Sequence, residues 1–218
     1  MEAFELNDWK NLQPHWVSGN IWAYDYFVPH RLDTLVALHG GKKAFEKDLD
    51  RLFSESIEMK GDQHVDISGF VGMYGHGDEP GHHIPYLFNY AGAPAKTQYW
   101  VDYLRRIMYS TKPDGMINNE DCGQMSAWYV FSALGFYPVC PGKNQYDLGT
   151  PMFPEAIIHL ENGKSFKIIA KGVSPGSIYV KSVKLNGKPF SGLTLQHEDL
   201  MKGGTLEFQM GKASPAAK

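Results

Sequence analysis

The chain has 218 residues, 43% of them apolar and 13% aromatic, with a formal charge of -3. That length supports one sizeable domain or a larger piece joined to a small module, and the apolar content excludes global disorder. The slight acidity and the absence of a basic run argue against nucleic acid as a partner, and no segment approaches the ~18 consecutive apolar residues of a membrane span.

In chain order, the opening MEAFELNDWKNLQPHW lacks the basic-then-apolar form of a signal peptide. Apolar residues at helical spacing predict helices over 31–38 (Leu32, Leu35, Val36) and 44–53 (Phe45, Leu49, Leu52, Phe53), separated by Gly40-Gly41. Pro94 suits the first turn of a third helix reaching about Tyr109, stopped by Lys112-Pro113-Asp114-Gly115. A fourth begins after Asp121 and ends at Gly135; it is apolar nearly all round, which predicts burial. Cys122 and Cys140 read as small buried thiols.

Beyond Pro141 the hydrophobic period changes from helical to alternating. Residues 156–159, 165–170, 178–185 and 205–210 read as strands, with turns at Asn162-Gly163, Pro175-Gly176 and Asn186-Gly187. Asn-Gly turns predict antiparallel hairpins, as in half of a sandwich. The expected fold is mainly α over residues 1–142, followed by an antiparallel β module over 143–218.

Chemistry-bearing residues gather on the loops between helices, where functional groups commonly sit. The stretch GHGDEPGHHIPYLFNYAG packs His76, Asp78, Glu79, His82 and His83 between glycines and prolines. Its spacing fits no zinc pattern, whereas a hard cation held by carboxylate and carbonyl oxygens suits the acid content. Histidines that merely brace a tight loop are the alternative. In MINNEDCGQMSAWYVFSALGFYP, Glu120 and Asp121 run straight into the apolar helix. Carboxylates there are costly unless the helix dipole, hydrogen bonds or a ligand compensate them, so the pair reads either as capping acids or as a general base. Paired carboxylates are also the working parts of glycoside hydrolysis, standing roughly 6.5–9.5 Å apart in inverting enzymes.

These two stretches, together with NIWAYDYFVPH near the N-terminus, resemble the signature segments of glycoside hydrolase family 92, and the likeness extends over essentially the whole chain. The resemblance implies a calcium-dependent, inverting exo-α-mannosidase built on an (α/α)6 toroid. This chain would be its C-terminal part, without the N-terminal β-sandwich, inactive alone, and periplasmic or extracellular in its parent. Carried over residue by residue, it implies Asp121 as the water-activating base with Glu120 supporting it. Glu79 and Asp121 would be Ca2+ ligands, and Trp22, Tyr24, Asp78, Glu79, His82 and His83 would contact a mannose-containing glycan. Typical members have Glu as general acid four positions before the Trp, and Gln directly after it; here those positions hold Ser18 and Ala23. A serine hydroxyl delivers no proton to a leaving oxygen near neutral pH. The departure implies lost activity (a sugar-binding pseudo-enzyme), an acid from elsewhere, or a leaving group such as the phosphate of a mannosyl phosphate.

Overall fold

The computed structural model describes residues 24–55 and 68–212. Trp22, Ser18 and Ala23 lie outside them. A 3-10 turn at Pro29–Arg31 leads into α1 (Leu32–Leu38) and α2 (Lys42–Ser54). The short hairpin β1 (Phe70–Val71) and β2 (Tyr74–Gly75) precedes 3-10 turns at Glu79–Gly81 and Ile84–Asn89. Then come α3 (Pro94–Met108) and α4 (Gln124–Leu134). Thus the four helices stand where periodicity placed them, with Pro94 in the first turn of α3 and left-handed Gly135 closing α4.

The chain is not mainly α. After α4, β3 (Phe136–Tyr137) joins β4 (Gln145–Leu148) and β9 (Thr194–Gln196) in a three-stranded sheet. The second sheet holds β5 (Glu155–His159), β6 (Ser165–Lys171), β7 (Tyr179–Leu185), β8 (Lys188–Phe190) and β10 (Gly204–Gly211), in the order β5-β6-β10-β7-β8. The short α5 (His197–Met201) lies between β9 and β10. The β5–β6 and β7–β8 hairpins are antiparallel as the Asn-Gly turns predict, with Asn186 and Gly187 both at positive φ. The expectation of a wholly antiparallel module fails at one pair. The last strand, β10, inserts between β6 and β7 and runs parallel to β6. Turn chemistry specifies neighbours in sequence, and a strand arriving from a distance escapes it.

Two apolar cores result. One gathers Leu35, Phe45, Leu52, Tyr86, Leu104 and Trp128 among the helices; the other gathers Phe166, Ile168, Leu206 and Phe208 on one face of the large sheet. Phe131 of α4 packs against both. Between the cores, Asn89 Nδ2 donates to the Leu148 carbonyl (2.9 Å) and Val180 N–H donates to Gln98 Oε1 (3.0 Å). The buried Asp147 accepts from Tyr90 Oη at 3.2 Å, and desolvation pushes its carboxyl up to about 7. These polar ties orient the sheets on the helices, and α4 thereby becomes the element that connects the β module to the loops at its own N-terminus. Contrary to its uniform apolar pattern, α4 is not buried all round: Val130 is 55% exposed.

Candidate active site

The loop after β2 is built inward. His76 is fully buried, its ring bridging the hydroxyls of Tyr74 and Tyr109 at 2.9 Å each. His82 donates from Nε2 to the His76 carbonyl (2.9 Å), and Gln124 Nε2 donates to its Nδ1 (3.1 Å). This pattern requires the neutral ring, and burial lowers its pKa to about 4. His83 donates from Nε2 to the Tyr26 carbonyl at 2.8 Å. His82 and His83, which the resemblance sets at the substrate, are buried and brace the loop, His82 to its own turn and His83 to the Tyr24–Tyr26 segment. Tyr24 itself is half-buried on that segment.

The loop before α4 meets this one closely. Asn118 Nδ2 donates to the Gly77 carbonyl (2.7 Å), Ser68 Oγ to the Ile117 carbonyl (2.9 Å), and Gly77 N–H to the Ser68 carbonyl (3.1 Å). A Cβ on Gly77 would stand 2.9 Å from that of Asn118, so only glycine allows the approach. Trp128 Nε1 donates to the His82 carbonyl at 3.0 Å from beneath. Glycine, amide and indole therefore fix the distance between the two acid-bearing loops.

Glu120 and Asp121 separate in role. Glu120 accepts from Ser126 N–H (3.1 Å) on one oxygen and from Ser126 Oγ (2.7 Å) on the other, so it caps α4. Asp121 is exposed and opens a run of left-handed backbone, with φ of 48° at Asp121, 58° at Cys122 and 92° at Gly123. Left-handed non-glycine residues are strained and gather at functional sites. Cys122 is exposed on this run, not buried, and both cysteines are free.

Desolvation, then the nearby Asp121 carboxyl across the two loops, with the charge of Asp78 adding, push the Glu79 carboxyl up to about 7. Glu79 Oε1 is buried with no hydrogen-bond partner among the described residues, and Asp78 beside it is buried. The arrangement suits a shared proton or a hard cation on one side of a substrate. Among the described residues no three His, Cys, Asp or Glu side chains converge on one point. Calcium bound here would take further oxygens from amides, carbonyls or the substrate.

Comparison with known proteins adds to this geometry. Residues 2–212 match the model of the glycosyl hydrolase family 92 catalytic domain. The chain belongs to glycoside hydrolase family 92. An uncharacterized secreted glycosidase of Arthroderma benhamiae is 31% identical over 208 residues, which are 93% of this chain and 24% of that protein. A family 92 α-mannosidase of Bacteroides thetaiotaomicron, solved in complex with mannoimidazole, is 38% identical with a TM-score of 0.85, over 91% of this chain and 26% of that one. A second family 92 enzyme of that organism, described as an inverting mannosidase, is 35% identical with a TM-score of 0.78, over 90% and 28%. The chain spans about a quarter of the length of these relatives.

The candidate site also includes a residue that motif spacing did not single out. Gln124 donates from Nε2 to the Tyr137 hydroxyl (3.1 Å) as well as to His82, tying the Glu79 loop to the start of α4 and the first strand after it. Its signal was a polar residue opening an otherwise apolar helix. No helix among the described residues is long and apolar enough to cross a membrane.

Proposed function

We propose that this chain carries the base-and-cation part of an inverting, calcium-dependent exo-α-mannosidase, exported to the periplasm or the extracellular space. Its family membership carries this reading, and the effect of Asp121 on the Glu79 carboxyl across the two loops supports it. Asp121, exposed on strained backbone, takes the proton from the attacking water. Glu120 holds the start of α4 and so positions Asp121. Glu79 and Asp121 would hold Ca2+, whose charge would polarise a sugar oxygen. Tyr24, Trp22 and Asp78 belong to the sugar pocket. The helices form part of an (α/α)6 toroid that the rest of such an enzyme, including an N-terminal β-sandwich, completes; alone, the chain lacks one wall of the cleft and is inactive.

Ser18 occupies the position of the usual proton donor, which favours a leaving group that needs no proton. In a polypeptide of the relatives' full length, mannosyl phosphate is hydrolysed in preference to α-1,2-mannobiose. Ser18→Glu then raises the mannobiose rate by about 10²- to 10⁴-fold, the usual contribution of general acid catalysis. Binding of both compounds without turnover of either would instead establish a sugar-binding pseudo-enzyme.

A further inference from the structure

A cavity of about 790 Å³ opens between α3, the 109–116 loop, α4 and the β module, and neither Glu79 nor Asp121 lines it. Its size is that of a small-ligand site. Four charged side chains line it: Arg105, Arg106 and Lys112 against the single carboxylate of Asp102. Asp102 lies 2.8 Å from Arg106 and 3.6 Å from Arg105, so the lining keeps a net positive charge. Arg105 is buried, donates to the Ser132 carbonyl at 2.9 Å, and keeps a buried Nε without a partner among the described residues. A buried guanidinium with spare donor capacity is costly unless something anionic compensates it.

The remaining walls suit a sugar. The rings of Tyr109 and Tyr129 meet at 4.9 Å and 45°, giving an apolar aromatic wall, and Ser126 and Ser174 add hydroxyls. The loop that carries Lys112 is held shut: Ser110 N–H donates to the Gly115 carbonyl (2.7 Å), and a Cβ on Gly115 would fall 2.2 Å from the Ser110 carbonyl oxygen. The backbone that carries Lys112 is therefore fixed.

We propose that this cavity is a second binding site, for a saccharide bearing an anionic group. Aromatic rings take the sugar face, and the arginine–lysine wall takes the phosphate or carboxylate. The site stands apart from the carboxyl pair and does not depend on the hydrolytic reading.

The test is calorimetric titration of the 218-residue chain, at low ionic strength, with mannose 6-phosphate, mannose and inorganic phosphate. Mannose 6-phosphate is expected to bind at least about tenfold more tightly than either of the others, which separates an anionic sugar from a bare anion. Arg106→Gln combined with Lys112→Gln removes that advantage. Both side chains are exposed, so the thermal midpoint stays unchanged. Asp121→Asn leaves the binding intact, whether or not the chain belongs to a working mannosidase. Equal affinity for mannose and mannose 6-phosphate, binding of phosphate as tight as that of the phosphosugar, or indifference to the double substitution would each overturn the proposal.

Discussion

Replacing Asp121 by Asn is expected to lower hydrolysis by about 10²- to 10⁴-fold in a polypeptide of the relatives' full length, on mannosyl phosphate and mannobiose alike. The attacking water needs a base whatever the leaving group, and an amide accepts no proton near neutral pH. Because the change is nearly isosteric, the loss should appear in kcat, with KM little altered. The strained left-handed turn tolerates Asn as readily as Asp, so folding is not the cause. Glu120→Gln serves as the comparison. It keeps one oxygen to accept from Ser126, and its rate should fall by less than about tenfold if Glu120 acts only through the helix start. Steady-state rates for the two variants separate the roles; an Asp121→Asn enzyme that stays active would show that the base lies elsewhere.

The largest effect on stability is expected at Trp128. Its side chain is fully buried, meets His76 edge-on at 4.3 Å, stacks parallel to Tyr109 at 5.9 Å, and donates to the His82 carbonyl. Trp128→Ala removes that packing and leaves the carbonyl unpaired under the acid loop. The combined cost is about 3–5 kcal/mol, a large share of an ordinary domain's stability. Trp128→Phe retains most of the packing and loses the hydrogen bond, at roughly 1–2 kcal/mol. Urea denaturation followed by far-ultraviolet circular dichroism measures both, and a loss below about 1 kcal/mol for the alanine variant would mean that the indole does not support the loop.

The sequence displayed its helices through spacing that leaves one register for burial. Leu49, Leu52 and Phe53 of α2 go to the core together, as do Val101 and Leu104 of α3. It displayed the hairpins through Asn186-Gly187, whose positive φ values allow little else. The parallel insertion of β10 was not legible, because no local turn encodes which strand a late arrival will join. Nor did composition separate the exposed Val130 from its buried neighbours on α4, since the cavity beside it depends on a loop and a sheet elsewhere in the chain.

The site was legible as two acid-bearing loops but not as a division of labour. Glu120 and Asp121 are adjacent and chemically similar, yet one side chain is engaged by Ser126 while the other stays exposed near Glu79. That choice is made by three consecutive left-handed residues, a backbone state that Cys122 in particular gives no reason to expect. The family resemblance set His82 and His83 at the substrate. Burial and carbonyl partners make them struts, and their neutral rings hold the loop that presents Glu79.

Whether Glu79 and Asp121 form one site across two loops is tested, without any catalytic turnover, by titration of the Glu79 side-chain carboxyl with carbon-13 NMR. In the 218-residue chain the midpoint should lie at about 7, and in Asp121→Asn it should fall toward the ordinary carboxylate range as the repulsion from Asp121 disappears, with desolvation keeping it from returning fully. A Glu79 carboxyl that titrates with an ordinary carboxylate midpoint in both proteins would place the two acids in separate environments and contradict the account.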